Sequence, residues 1–271
     1  MLGFTDDQIK RYARHIVLRE VGGKGQRKLL GARVLVIGAG GLGSPAALYL
    51  AAAGVGTIGI VDSDTIDVSN LQRQVLYKTQ DVGGGKAEAA AEALRALNPD
   101  VAIVPHTERL TSANALDMVS GYDVVIDGSD NFPTRYLVND SCVLRDKLLV
   151  WGAANQFDGQ LSAVRPRESA CYRCLFPLPP PPGSVPDCIE AGVIGALTGI
   201  VGSWLALEAI KLVLGIGQVV TDRLVIVDGL TGEIDRVAIA RRSDCAVCGD
   251  APTVTELIDY ELFCSRNPVK V

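Results

Sequence analysis

The stretch RVLVIGAGGLGSPAALYLAAAG, residues 33–54, limits the fold of this chain more than any other part of it. An apolar strand runs into Gly38, Gly40 and Gly43 at G-x-G-x-x-G spacing, and a helix of small residues follows at once. The glycines permit a tight turn and close backbone approach, while the helix N-terminus offers free N–H groups to a phosphate. The next strand-like run, GTIGIVD, ends on Asp62, about twenty residues further on, where a carboxylate accepts hydrogen bonds from ribose hydroxyls. The chain therefore starts from a nucleotide-binding βαβ unit.

Strand-like runs recur at residues 33–38, 56–62, 101–106, 123–128, 147–152, 160–165, 223–229 and 234–240. Helical patterns lie between most of them, including GKAEAAAEALRALNP, SANALDMVS and NFPTRYLVNDSCVLRD. Short apolar strands alternating with helices predict an α/β, Rossmann-like, doubly wound and mostly parallel sheet. The last two strands, joined by the short DGLTGE turn, read as an antiparallel addition. The uncharged run AGVIGALTGIVGSWLAL, residues 191–207, approaches the length of a membrane span. Charged residues bracket it and Gly192, Gly195, Gly199 and Gly202 punctuate it, so it reads as a buried helix packed on a sheet or a second subunit. PLPPPPGSVPD, residues 177–187, cannot enter a ladder or a helix and reads as an extended surface loop.

The glycine fingerprint alone does not separate NAD from FAD, S-adenosylmethionine or ATP. Its surroundings do more. DSDTIDVSNLQRQ brings Asp64, Asn70, Arg73 and Gln74 close behind Asp62, and GGGKAEAA places Lys86 at a helix entry. DGSDNFPTR puts Asp130 and Asn131 at the C-terminal edge of the next strand, where ligands of open α/β sheets bind. Two cations, an anion-binding loop and a carboxylate free for Mg²⁺ suit a triphosphate better than a nicotinamide.

The cysteines are Cys142, Cys171, Cys174, Cys188, Cys245, Cys248 and Cys264, an odd number, and four of them form two C-x-x-C pairs. Cys171, Cys174, Cys245 and Cys248 supply four thiolates, enough to close a tetrahedral zinc site. A closed site leaves no position for substrate, so such a zinc is structural. A redox dithiol is the rival reading for either pair. Cys188 stands at the end of the Pro-rich loop and before the apolar helix, where a helix N-terminus lowers a thiol pKa.

RYARHIVLREVGGKGQRKL, GAGGLGSPAALYLAAAGVG, DVSNLQRQVLY, GSDNFPTRYLVND, CYRCLF, CIEAGV and CAVCG together resemble the ThiF/MoeB family of ubiquitin-activating-like adenylyltransferases over almost the whole chain. The resemblance implies an enzyme that binds ATP with Mg²⁺ and adenylates the C-terminal Gly-Gly carboxylate of a small ubiquitin-like sulfur carrier protein, priming it for thiocarboxylate formation. It implies that Gly38, Gly40, Gly41 and Gly43 embrace the nucleotide and that Asp62 holds the ribose. Asn70, Arg73 and Lys86 would orient and neutralise the phosphates, and Asp130 would hold magnesium. Arg14, from RYARHIVL, would reach the phosphates of a neighbouring subunit, which requires a homodimer. Cys188 matches the position at which some relatives bond covalently to the carrier during sulfur transfer. Residues 1–249 are then the adenylation domain, with N-terminal helices over 1–31 and a zinc-pinned half from about 151, and 250–271 form a tail. That tail resembles the connector to a rhodanese domain in longer relatives, so a separate persulfide donor, a cysteine desulfurase or rhodanese, is expected. Cys264 within it reads as a sulfur relay or an idle thiol.

Two other classes remain open at this point. A NAD-dependent oxidoreductase explains the glycine loop but not Arg73, Lys86 and Asp130 in one cleft. A non-catalytic partner of an activating enzyme has no need of every ATP-site residue. The net charge of -5 and pI near 5.1 give no footprint for nucleic acid, which also disfavours a relative that acts on tRNA. The charged N-terminus carries no apolar secretory segment, so a cytoplasmic location is expected.

Overall fold

The apolar residues of Arg33–Ile37 alternate between two faces, and that alternation builds two cores. Val34 and Val36 join Ile58, Ile60, Val124 and Ile126 in one buried cluster, whereas Leu35 and Ile37 join Val61, Val125 and Leu149 in the other. The computed structural model describes residues 3–181, 183, 184 and 191–265. Among these, eight strands form a single sheet: β1 (Arg33–Ile37), β2 (Thr57–Val61), β3 (Ala102–His106), β4 (Val124–Asp127), β5 (Leu148–Asn155), β6 (Asp158–Val164), β7 (Arg223–Asp228) and β8 (Ile234–Ala238).

The spatial order is β3-β2-β1-β4-β5-β6-β7-β8. Neighbours from β3 through β5 are parallel, and those from β5 through β8 are antiparallel. The expected doubly wound sheet with antiparallel C-terminal strands is the observed one. The antiparallel part begins earlier than the DGLTGE turn suggests. β5 and β6 run longer than their apolar runs and close into a hairpin, with Asn155 paired to Asp158 and Gln156 in the left-handed region at φ 51°.

The strand order reverses between the parallel neighbours β1 and β4. From β1 the order runs outward to β2 and β3 on one side and to β4 and β5 on the other, so loops leaving β1 and β4 diverge and open a crevice at their C-terminal ends. The glycine loop follows β1, and the Gly128–Asn131 loop follows β4.

The apolar run near residue 195 forms the helix Gly195–Leu214, which starts later than the uncharged segment and ends on Gly215 at φ 70°. It has the length and composition to cross a membrane, yet here it lies on the sheet and on the Gly43–Ala53 helix. Gly202 explains the close approach, because a Cβ there would meet the Leu42 carbonyl oxygen at 2.3 Å. The buried Glu208 anchors the helix end: its carboxylate accepts from Trp204 Nε1 (3.1 Å), Lys211 Nζ (2.6 Å) and the Val220 backbone N–H (3.1 Å).

Candidate active site

The glycine loop is held open by backbone contacts that no side chain tolerates. Gly38 has φ 83°, and a Cβ on Gly43 would sit 1.7 Å from the Gly38 carbonyl oxygen. The Gly43–Ala53 helix begins with Leu42 at its N-cap and no side-chain cap. The Ser44 N–H donates to Gly40 O at 2.9 Å and Pro45 has none. It is therefore the backbone of Gly40, Gly41 and Leu42, with the positive end of the helix behind it, that lines the cavity. Two buried hydroxyls brace the loop from behind: Tyr77 donates to Ala39 O at 2.9 Å and Ser44 to the same oxygen at 3.1 Å.

Asp62 sits beside this loop at the end of β2. Its Oδ2 accepts from the Ala39 N–H at 2.8 Å and its Oδ1 from the Asp64 N–H at 2.9 Å, which orients the carboxylate while leaving lone pairs for ribose hydroxyls. Burial raises its pKa above the ordinary carboxylate range, and the Lys86 charge and the two N–H groups oppose that shift. Lys86 opens the Lys86–Leu97 helix with a side chain only 8% exposed, and its ammonium pairs with Asp64 at 2.8 Å. A buried cation held by a mostly exposed carboxylate can turn to an entering phosphate without being left uncompensated.

These groups line one cavity of about 970 Å³, the upper end of the range for small-molecule sites. Its walls hold Gly38, Gly40, Gly41, Asp62, Asp64, Arg73, Gln74, Lys86, Asp130 and Asn131 from the sequence reading. Gln74 is buried with Oε1 unpaired, so a polar atom on the wall awaits a partner. Asp130 is exposed to the cavity, an arrangement suited to Mg²⁺, which takes one or two carboxylates together with phosphate and water.

The cavity wall does not include Gly43, Asn70 or Arg14. Gly43 lies beneath the loop. Asn70 ends the short 3₁₀ turn Val68–Asn70 and its Oδ1 accepts from the Asp67 N–H at 3.1 Å, so the structure uses it to shape the segment carrying Arg73 and Gln74. Arg14 is exposed on the Ala13–Ile16 helix, outside this cavity. Asn131 caps the Phe132–Leu144 helix, accepting from the Thr134 N–H at 3.0 Å. Cys188 lies outside the described residues.

Sequence reasoning passed over several wall residues. Trp151, Tyr172 and Phe176 form an aromatic side, with Trp151 and Tyr172 edge to face at 5.1 Å between ring centroids. Asp158, Gln160 and Ile226 come from the antiparallel strands, and the buried Arg135 comes from the first turn of the Phe132–Leu144 helix. The only sequence signal for Arg135 is its place in NFPTR, one turn after Asn131.

The four paired cysteines meet in the core cluster that also holds Trp151 and Tyr172 of the cavity wall. Their Sγ atoms all lie within 4.8 Å of one another and all four residues are buried. Sulfur separations of 3.6 Å (Cys171 to Cys245) and 3.4 Å (Cys174 to Cys248) approach the edge of about 3.8 Å expected for thiolates around one tetrahedral zinc. The set fits a closed zinc site better than two separate dithiols, because the short contacts run between the pairs. Next to it, Arg173 and Asp140 form a buried ion pair, Arg173 Nη2 to Asp140 Oδ2 at 2.7 Å and Nε to Oδ1 at 2.8 Å. Tyr260 adds its hydroxyl to Asp140 Oδ2 at 2.8 Å, which docks the C-terminal helix Tyr260–Ser265. In that helix burial pushes the half-buried Cys264 thiol up to about 11.

Comparison with known proteins agrees with this architecture. Over 96% of its length the chain is 52% identical to a sulfur carrier protein adenylyltransferase of Thermus thermophilus, covering 98% of that protein. It is 49% identical to the adenylyltransferase and sulfurtransferase MOCS3 of Drosophila yakuba and 51% identical to that of Bos taurus, and it spans 58% of the length of each. Among solved structures, Escherichia coli MccB superposes with a TM-score of 0.79 at 22% identity, covering 92% of this chain and 76% of that one, a likeness of fold. The ThiF family model matches residues 12–247, the span that carries the nucleotide crevice and three of the four clustered cysteines and stops one residue short of Cys248, and the chain therefore belongs to the ThiF family.

Proposed function

We propose that this protein adenylates the C-terminal carboxylate of a small ubiquitin-like sulfur carrier ending in Gly-Gly, using ATP and Mg²⁺. The observation that carries the reading is the meeting of the glycine loop, Asp62, Arg73, Lys86 and Asp130 on one cavity wall. The Thermus relative, matched nearly end to end, bears the corresponding activity in its name.

The reaction is a displacement at the α-phosphorus. A carboxylate oxygen of the carrier forms the new bond, the bond from the α-phosphorus to the bridging oxygen breaks, and pyrophosphate leaves with the electron pair. The attacking carboxylate is already ionised at neutral pH, so no general base is required. The obstacle is repulsion between anions, and the protein answers it with position and positive charge. Asp62 orients the ribose, and the glycine-loop backbone at the helix N-terminus together with Lys86 and Arg73 faces the phosphates. Magnesium held by Asp130 supplies further neutralisation of phosphate charge. The antiparallel strands and the aromatic side leave room beyond the nucleotide for the carrier's narrow C-terminal tail, which a Gly-Gly ending suits.

Arg14 fits the same scheme only when a second copy supplies it, so the active form is read as a homodimer. Zinc in the cysteine cluster ties the Cys171 turn to the segment after β8. A separate persulfide donor completes thiocarboxylate formation, and the carrier accepted decides whether molybdopterin, thiamine or tRNA thiolation follows. These steps are placed in the cytoplasm. The test is ATP–pyrophosphate exchange against a panel of purified carriers: exchange that requires the terminal Gly-Gly supports the reading, and carrier-independent or absent exchange overturns it. The NAD alternative leaves the Lys86–Asp64 pair and the open Asp130 without a task.

A further inference from the structure

Asp130 stands on a four-residue loop, Gly128–Asn131, and an exposed carboxylate on a loop places a metal well only when its backbone is held. Three ties hold it. The Ser129 N–H donates to the buried Asp127 Oδ1 at 2.9 Å. Asn131 caps the following helix through the Thr134 N–H. From the first turn of that helix Arg135 reaches back, donating from Nη2 to the Ser129 carbonyl at 2.6 Å and from Nη1 to the Gly152 carbonyl in β5 at 2.7 Å.

Arg135 is 8% exposed, so a full positive charge is kept largely out of water to make these two bonds. Asp127, at the end of β4, is the buried carboxylate whose ionised form the Arg135 charge favours against the effect of burial. The loop it grips also touches the glycine loop, since a Cβ on Gly38 would meet the Gly128 oxygen at 3.1 Å and one on Gly128 would meet the Gly43 nitrogen at 3.1 Å. Any shift of Ser129 therefore changes the spacing between Asp130 and the phosphate-binding backbone.

We propose that Arg135 is a positioning residue for adenylation: it clamps the Ser129 carbonyl to β5 and thereby sets Asp130 against the nucleotide's metal and phosphates. The inference rests on the reading of Asp130 as the magnesium holder. A fork is required because the two carbonyls belong to different elements, and a lysine ammonium on a flexible stem does not hold both in fixed geometry.

The experiment is carrier-dependent ATP–pyrophosphate exchange titrated with Mg²⁺, in the wild type and in Arg135→Lys. In Arg135→Lys, kcat falls about tenfold or more, the Mg²⁺ concentration for half-maximal exchange rises about fivefold, and KM for ATP at saturating Mg²⁺ stays within about twofold. Arg135→Gln, uncharged and too short to reach both carbonyls, shows the same split more strongly, and added guanidinium ion restores part of its rate. An unchanged Mg²⁺ requirement in a folded variant, at any level of activity, overturns the proposal. Insolubility of both variants overturns it too, since the fork then serves the fold. Absence of exchange in the wild type removes the functional reading itself, whereas wild-type exchange with an unshifted Mg²⁺ requirement in the variants removes this inference alone.

Discussion

The nucleotide crevice and the Asp140 region share the Phe132–Leu144 helix and treat polar groups in opposite ways. Around Asp140 every acceptor is answered: Oδ1 receives Arg173 Nε and Asn139 Nδ2, and Oδ2 receives Arg173 Nη2 and the Tyr260 hydroxyl. In the crevice Gln74 Oε1 is buried without a partner, and Asp130 is exposed to the cavity. Both regions carry charge at low exposure, so burial alone does not separate them. Completeness does: a closed network stabilises the fold, whereas an incomplete one is kept where a ligand finishes it.

The largest way to test that contrast is metal removal from the closed side. Cys245→Ser should abolish bound zinc and cost about 5 kcal/mol or more, lowering the thermal midpoint by roughly 10 °C or more for a chain of this size. Metal analysis alongside a melting curve measures both, and a zinc-free variant with the wild-type midpoint would sink the structural role. On the open side Asp130→Ala should lower carrier-dependent exchange about a thousandfold, near 4 kcal/mol of transition-state stabilisation, with no loss of thermal stability. Loss of stability in its place would blur the division between the two regions.

Asp140→Ala leaves the Arg173 charge buried and uncompensated, so unfolding in denaturant should show a loss of about 3 kcal/mol or more, with the ATP affinity of the folded protein retained. The smallest effect concerns Asp62. Its folded pKa is raised above the unfolded value, so the folded state takes up its proton first. As pH falls through that raised pKa toward the lower unfolded value, this group stops opposing folding and stability should rise slightly. Nucleotide binding should move the other way, because the ribose-accepting carboxylate is lost over the same window. ATP titrations at several pH values, with Asp62→Asn as the flat control, read this sign directly.

Much of the site is local and was legible as such. The glycine loop, Asp62 at a strand end, Lys86 at a helix entry and the two C-x-x-C pairs each lie within a few residues, where turn stereochemistry and helix geometry act. The run Asp-Val-Ser-Asn-Leu-Gln-Arg-Gln, residues 67–74, shows the limit. Its composition pointed to phosphate, but only the 3₁₀ turn at Val68–Asn70 decides that Arg73 and Gln74 face the cavity while Asn70 closes a cap. Arg135 and the aromatic side stayed hidden because a helix arginine and core-like aromatics carry no mark of the cavity they line.

By itself, then, the sequence determined the parallel nucleotide-binding half, the apolar helix and the presence of four metal-type thiols, through periodicity and short spacings that act along a few turns of chain. Tertiary structure alone decided that Cys171 meets Cys245, that Tyr260 answers Asp140 across 120 residues, and that Arg135 grips the Asp130 loop. The physical reason is that a buried charge or thiol is compensated by whatever packing brings to it, and packing joins residues whose separation along the chain leaves no local pattern.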